Sequence, residues 1–408
     1  MLSFLIDLRK KSIPKGEKRG KRPRFKELCL NVVVMLFGVL ISLLVAELLS
    51  RIFVPTYLVK PHPKGLYVND PDLGYVLAKN FYARHQHSDY NATIHTNSDG
   101  FRGGEIGAKG LDTFRILVLG DSIAWGYGVE FEASFPRQLE KILNENLDTD
   151  FEVINAAVPG YGTDQELDLL KKFGLDCQPD LIIVGMFVEN DVYDNLVEGA
   201  KHRTVRGGYL IDRYRYERNK KENPLVVVTY FLSKNSRLYV FLRSYFRSFM
   251  ANIGKVSTEF HPESFPGFAQ PEYLPIFAKE HSPEVKRGMA VTEQLLKEIV
   301  NVGKAHNANS LVVLLPSKVQ VYPGLWKDVQ RIYHLDGNAY SLTEPNEILL
   351  DFGLQNNIPF LDLLPAFREA DPDAPLYFRT DLHQSAAGQA LAARKVYEGL
   401  LAQDLIPH

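Results

Sequence analysis

Cysteine is nearly absent: the 408 residues contain only Cys29 and Cys177. One falls in an apolar run and the other far downstream, which excludes a disulfide-stapled small domain and makes an internal bridge implausible. There is no GxxxxGK[ST] loop, no strand-linked GxGxxG and no CxxC pair. Phosphate-loop, dinucleotide-binding and zinc-finger readings therefore have no support. An excess of one charge is also lacking, with 47 Lys+Arg against 49 Asp+Glu. That balance excludes a histone-like polycation, and 45% hydrophobic and 11% aromatic residues exclude a disordered polymer or a collagen-like repeat. No short internal repeat is evident. What remains is a globular chain with room for one large domain or two smaller ones.

The charge is balanced only in total. Arg9, Lys10, Lys11, Lys15, Lys18, Arg19, Lys21, Arg22, Arg24 and Lys26 crowd the first 27 residues, opposed by Asp7, Glu17 and Glu27 alone. The apolar run 28–46 follows at once, and as a helix it would span about 28 Å, close to the hydrocarbon thickness of a bilayer. A cleaved signal peptide would have a shorter apolar region ending in small residues, whereas here Glu47-Leu48-Leu49-Ser50-Arg51 follows. We therefore expect a basic cytoplasmic tail at 1–27 and a retained single-pass transmembrane anchor at 28–50. The basic flank is the inside one, so the rest of the chain is expected outside the cytoplasmic membrane.

Residues 51–110 are rich in turn formers and read as a connector packing on the main domain. Alternation at Tyr90, Ala92 and Ile94 predicts a strand, and Asn97-Ser98-Asp99-Gly100 predicts a tight turn after it. Beyond residue 110 the pattern changes to short apolar runs at 116–119, 153–157, 181–186, 311–315 and 358–361, each the length of a buried strand. Between them lie stretches of helical period. Phe135, Leu139, Ile142 and Leu143 share one face, and Ser282-Pro283 supplies an N-cap followed by proline at the first helical position. Alternating strands and helices predict a doubly wound α/β domain over 111–408 with a parallel sheet. Two excursions interrupt it. An insertion at about 192–281 follows the third strand, contains a basic stretch and an amphipathic helix with Arg237, Arg243 and Arg247, and is expected to fold over one sheet edge. A second, 320–346, holds Tyr322, Trp326, Tyr333 and Tyr340.

Four short blocks fall where open α/β sheets carry their chemistry, at strand carboxyl ends and before the last helix. The first strand runs into Gly120-Asp121-Ser122. A serine at such a turn exposes its hydroxyl beside backbone N–H groups able to hold an oxyanion, although a serine there commonly does no more than cap the next helix. The second strand leads to Gly160, where an N–H can approach a ligand without an intervening side chain; an ordinary turn glycine would look the same. The third ends in Asn190-Asp191, offering a side-chain amide donor or merely a turn. Near the C-terminus come Asp381-Leu382-His383 and then Ser385-Ala386-Ala387-Gly388. Histidine can take a serine proton at neutral pH, and a neighbouring carboxylate can orient it.

Taken together in this order, the blocks resemble the SGNH/GDSL hydrolase family. The resemblance covers roughly residues 115–401, the long insertion excepted, and implies a flavodoxin-like parallel sheet. It implies Ser122 as nucleophile, His383 as general base assisted by Asp381, and an oxyanion hole made by Ser122, Gly160 and Asn190. The family usually places its aspartate three residues before the histidine; here it is two before. Similar Asp-x-His spacing occurs in the alginate O-acetyltransferase-like branch, where the pair precedes the serine in the chain.

The expected activity is that of a serine esterase acting on acyl esters of a carbohydrate or cell-envelope substrate. An O-acyltransferase modifying an exported polysaccharide is the alternative, and a non-catalytic glycan-binding or assembly protein a third. No cofactor or metal is expected, since acyl transfer through serine needs none. His85-Gln86-His87 lacks a defined third ligand and is expected to face solvent. Tyr322 and Trp326 are candidates for stacking on sugar rings, with packing of their excursion as the competing role. The Arg-aromatic insertion could suit single-stranded nucleic acid, but an extracytoplasmic position favours a lid, a carbohydrate platform or a membrane contact instead.

Overall fold

The computed structural model describes residues 25–53, 62–87, 89–196, 203–212, 228–229, 231–232, 235–252, 273–371, 374–379 and 381–407. Most of the basic tail, and much of the basic stretch of the insertion, lie outside these. The chain divides into two compact units, Met1–Phe53 and Val54–His408.

The described part of the first unit is one helix, α1 (Phe25–Phe53), and from Cys29 onward it is long and apolar enough to cross a membrane. Leu30, Val33, Leu36, Phe37, Leu40 and Leu44 are each more than half exposed. Such a surface is unfavourable in water and natural in lipid, where the helix satisfies its own backbone groups. Ser42 donates to the Gly38 carbonyl at 2.8 Å, so its hydroxyl is also satisfied within the helix.

The second unit opens with two antiparallel hairpins, β1 (Tyr67–Asp70) with β2 (Gly74–Leu77), and β3 (Tyr82–Gln86) with β4 (Asn91–His95). In β4 the alternation holds, with Ala92 and Ile94 buried and their neighbours not. The turn after it is built by Asn97, whose Oδ1 accepts the Asp99 and Phe101 N–H groups at 3.0 and 2.9 Å. Then follow β5 (Thr113–Gly120), α2 (Ser122–Trp125), α3 (Phe135–Asn146), β6 (Asp150–Asn155), α4 (Thr163–Leu169), β7 (Leu181–Phe187) and α5 (Asp191–Leu196). The insertion contributes β8 (Arg203–Arg206), β9 (Tyr209–Asp212) and α6 (Arg237–Asn252). The chain closes with α7 (Pro283–Ala305), β10 (Asn309–Leu315), α8 (Lys318–Val321), α9 (Pro323–Tyr333), α10 (Glu344–Asn356), β11 (Phe360–Asp362), α11 (Leu364–Glu369) and α12 (Ala386–Ala402).

Five strands form one parallel sheet in the order β11-β10-β7-β5-β6, the doubly wound flavodoxin-like arrangement. The continuous apolar runs reflect burial on both faces: every residue of β7 is buried, as is β5 from Ile116 to its end. Helix α3 covers the sheet through buried Phe135, Leu139 and Leu143, with Ile142 partly buried beside them, and it packs on α12. Each such Leu contributes about 1.5–3 kcal/mol relative to exposure. Ser282 caps α7 as its sequence implies, accepting the Val285 N–H at 3.2 Å. Two strands leave part of their apolar run outside the strand. β6 stops at Asn155 although Ala156 and Ala157 are buried, so burial there continues into the loop. β11 starts only at Phe360, because Pro359 has no N–H to give the ladder.

The described part of the insertion includes a hairpin and a helix. Its hairpin β8–β9 docks on β1, where Asn69 donates to the Val205 carbonyl at 3.1 Å and accepts the Val205 N–H at 2.7 Å. The amphipathic helix is present as α6 and exposes Phe241, Leu242, Tyr245 and Phe246. Successive strands fall on opposite sides of β5, which makes its carboxyl end the switch point of the sheet, the place where such folds open a crevice.

Candidate active site

Strand β5 ends at Gly120 with φ +148°, and a Cβ there would lie 2.4 Å from the Ala124 Cβ and 2.8 Å from the Gly185 carbonyl. Only glycine lets β5, α2 and β7 approach so closely. Asp121, not the serine, caps α2, accepting the Ile123 N–H at 2.7 Å. Ser122 is thus released from the capping role and carries its hydroxyl on the first helical turn.

That hydroxyl lies 2.8 Å from Nε2 of His383. On the other side of the ring, Nδ1 meets Oδ1 of Asp381, which also accepts the His383 backbone N–H at 2.9 Å. With the proton on Nδ1 donated to the carboxylate, Nε2 accepts the serine O–H, the tautomer a general base requires. Burial tends to raise the Asp381 carboxyl, but the charge and hydrogen bonds of His383 outweigh it and hold the group down at about 2. The carboxylate is therefore ionised wherever imidazole can act as a base.

The loop after β6 is stitched to β5 by Ala156 N–H to Val118 O and Val158 N–H to Gly120 O, both 2.9 Å, which brings Gly160 toward the same end of the sheet. Gly160 has φ +84° and no room for a side chain. Its carbonyl accepts from the Arg203 guanidinium, and Tyr75 donates to the neighbouring Pro159 carbonyl at 2.9 Å. At the end of β7, Asp191 accepts the Phe187 N–H at 2.8 Å, and the Asn190 amide donates to Asp194 at 3.1 Å. A common pattern marks all three positions. Ser122, Gly160 and Asn190 are each partly exposed while the residues on both sides of them are buried. Three consecutive strand ends thus open at one residue apiece.

Several residues that short motifs do not reveal support this arrangement. Arg102, 3% exposed, donates to the carbonyls of Trp125, Gly126 and Val129 at 2.5–2.7 Å and fixes the chain leaving Ser122. Gln389 accepts the Phe135 N–H at 2.8 Å and donates to Ile123 O and Gln384 Oε1 at 3.0 Å, tying the histidine loop to the serine helix. Tyr127 stacks on His383 with ring centroids 4.2 Å apart, and its hydroxyl lies 3.2 Å from Nδ1 of His62. Burial, with His85 and His383 nearby, lowers the His62 imidazole to about 3, so it stays neutral beside the site. A basic or amide side chain in an otherwise apolar or turn-rich stretch is the only signal these residues give in sequence.

One expectation changes. His85 does not face solvent: it is 2% exposed and packs edge-on against Tyr127 at 4.7 Å and Tyr90 at 5.0 Å, while His87 stacks on Tyr90. Tyr322 and Trp326 make the packing contacts that were their competing role. Trp326 is partly buried and packs on Tyr340 at 5.6 Å, and the Tyr322 hydroxyl accepts the Leu376 N–H at 3.2 Å. The structure thus joins Ser122, His383 and Asp381 directly, places Gly160 and Asn190 at adjacent strand ends, and engages Tyr322 and Trp326 in packing.

Two family models match separate parts of the chain. Residues 118–229 match the GDSL-like lipase/acylhydrolase family, and residues 276–407 match the SGNH hydrolase-like domain of acetyltransferase AlgX. No curated protein sequence matches significantly. Similar solved structures include a lipase/acylhydrolase from Enterococcus faecalis, 13% identical, covering 71% of this chain and 96% of that one with a TM-score of 0.38. They also include a catalytic mutant of Axe2, an acetylxylan esterase from Geobacillus stearothermophilus, 12% identical, covering 70% and 94% with a TM-score of 0.37. The first family match spans Ser122, Gly160 and Asn190 and the second spans Asp381 and His383, so every residue of the candidate site falls within a match to a GDSL-like or SGNH hydrolase-like family.

Proposed function

We propose that the protein is a serine-dependent acyl-ester enzyme whose nucleophile is Ser122. The observation that carries this reading is the continuous hydrogen-bonded chain from the Ser122 hydroxyl through His383 to Asp381. Ser122 Oγ attacks the ester carbonyl while its proton passes to Nε2 of His383, with Asp381 stabilising the imidazolium. The developing oxyanion is held by the Ser122 and Gly160 N–H groups and the Asn190 amide, which donates to Asp194 and interacts with Asp121 before substrate arrives. The imidazolium then protonates the leaving alkoxide as the C–O bond breaks, leaving an acyl-serine. His383 next takes a proton from an incoming water or alcohol as that oxygen attacks the acyl carbon. Ser122 leaves and recovers its proton.

Water as the acceptor makes the protein an esterase, the reading we favour, with acyl esters of an envelope carbohydrate as substrate. A sugar hydroxyl as the acceptor makes it an O-acetyltransferase. The match of residues 276–407 to the acetyltransferase AlgX domain is what keeps this second reading. Helix α1 serves as a retained anchor with the basic tail inside and the domain outside the cytoplasmic membrane, consistent with its length, its apolar surface and the preceding positive charge.

The test is labelling of the full-length protein with a fluorophosphonate, beside turnover of a small acetyl ester with and without acceptor oligosaccharides. Wild type should label and turn over, and Ser122→Ala should do neither while melting at an unchanged temperature. Turnover by Ser122→Ala would end the serine mechanism. Absence of both reactions in folded wild type would favour a non-catalytic glycan-binding role.

A further inference from the structure

Lys318 opens α8, just beyond the carboxyl end of β10, and belongs to none of the four motif blocks. Its ammonium lies 2.7 Å from the Phe378 carbonyl, 3.0 Å from that of Arg379 and 3.3 Å from that of Asp381. An ammonium has three N–H donors and no acceptor, so it can donate to all three converging carbonyls. Those carbonyls belong to the loop that presents Asp381 and His383. The loop closes on itself through Phe378 N–H to His383 O at 3.0 Å and His383 N–H to Asp381 Oδ1 at 2.9 Å, and the Tyr377 hydroxyl beside it donates to the Pro316 carbonyl at 2.6 Å. Lys318 adds a charged link from the segment that follows β10 to the carbonyls nearest the Asp381–His383 pair. The site is largely desolvated, for burial lowers the Lys318 ammonium to about 8 against the opposing charges of Asp381 and Asp89. Charge-assisted bonds are stronger in such surroundings than in water.

We propose that Lys318 is a positioning residue that holds the Asp381–His383 loop in register with Ser122. This rests on the serine-enzyme reading for its kinetic consequence but not for its structural one. The two strands of the loop's geometry explain why: the Ser122–His383 contact joins groups 261 residues apart, and the loop reaches it from outside the sheet. Without the ammonium, three carbonyls lose their common donor and the imidazole is free to drift from the serine. A displacement of about 1 Å can cost on the order of 10²-fold in rate.

The experiment compares wild type with Lys318→Met, which keeps the alkyl stem and removes the donors, and Lys318→Arg, which restores donors and charge. Steady-state hydrolysis of a small acetyl ester gives kcat and KM. Proton NMR follows the downfield signal of the His383 Nδ1 proton in its bond to Asp381, a readout that a merely structural residue would not move in a protein of unchanged melting temperature. Lys318→Met should lose about 10²-fold in kcat with little change in KM and should lose or broaden the downfield signal, and Lys318→Arg should recover part of both. A folded Lys318→Met with wild-type kcat and an intact signal overturns the proposal. If Lys318→Met does not fold, Lys318→Leu, which likewise lacks donors, carries the same comparison with the same deciding outcomes. If wild type proves inert toward esters and fluorophosphonates, the enzymatic reading fails by itself, and the NMR signal in the variants still decides the role of Lys318.

Discussion

Replacing Gly160 by alanine perturbs the proposed oxyanion loop at its tightest point. At φ +84° a Cβ would lie 2.0 Å from Nη1 of Arg203 and 2.9 Å from the Tyr75 hydroxyl. The left-handed backbone alone costs a non-glycine residue roughly 1–2 kcal/mol. Carbon and nitrogen need about 3.5 Å of separation, so Arg203 or the loop must yield by about 1.5 Å. Arg203 is poorly placed to yield, being bound to the Gly160 carbonyl and lying 3.9 Å from Asp194. The loop moves instead, and the Gly160 N–H leaves the position a tetrahedral oxygen would occupy. Loss of one oxyanion donor costs about 2.7–4 kcal/mol, or 10²–10³ in kcat. Gly160→Ala should therefore lose about that much in initial-rate ester hydrolysis, with a melting temperature lowered by only the backbone term. Adding Arg203→Ala relieves the clash, so the double variant should lose less than the two single losses combined. A folded Gly160→Ala with turnover near wild type would refute the assignment of its N–H to the transition state.

Asn190→Ala should retain residual turnover, losing about 10²–10³ in kcat with little change in KM, and an equal loss in KM would assign the amide to ground-state binding instead. Glu189, buried next to it, is raised by burial from 4.5 to about 7, with the Ser317 hydroxyl opposing. The folded state therefore holds a proton that the unfolded state releases, and stability falls as the pH rises from about 4.5 to 7. Above that window Glu189→Gln should be more stable than wild type by about 3 kcal/mol, and denaturant melts at pH 5 and pH 8 check whether the gain appears only at the higher pH. Trp326→Ala should lower stability by about 2 kcal/mol through its contact with Tyr340 and affect small and large esters alike; a selective loss on a glycan substrate would restore the stacking role.

The legible parts of this protein were those whose signal is local. Ser122, Gly160 and Asn190 each follow an apolar run long enough to be a buried strand, and parallel pairing in the switch-point order places the ends of such runs together. Asp381 and His383 announce themselves by closeness and by the helix cap at Ser385 that follows. Illegible were residues that act through long side chains on distant backbone. Arg203 reaches a carbonyl 43 residues back, Lys318 one 60 residues ahead, and Gln389 an N–H 254 residues away. Nothing in the periodicity of their own segments requires those partners. The burial of His85 is illegible for another reason. Strand β3 reads Tyr-Ala-Arg-His-Gln, with too few apolar residues to reveal which face is inside, so burial there is decided by the Tyr127 and Tyr90 rings brought from elsewhere.

The departure in the last block, Asp-x-His where the family usually has one more intervening residue, has a structural resolution. A single oxygen of Asp381 accepts both the backbone N–H and the ring Nδ1–H of His383. The carboxylate is thereby fixed to the main chain of the residue it orients, and the two move as one unit. Its shift from 3.8 to about 2 corresponds to about 2 kcal/mol in favour of the charged form, present above pH 4 and lost as the pH falls toward 2. What so tight a pair cannot do is fix itself to the rest of the protein. The turn directs the Phe378, Arg379 and Asp381 carbonyls toward one point, and Lys318 occupies that point from the end of β10. The short spacing thus supplies the internal order of the pair, and its order relative to Ser122 must come from contacts outside the motif: Lys318 from the sheet, Tyr127 against the ring face, and Gln389 from the last helix.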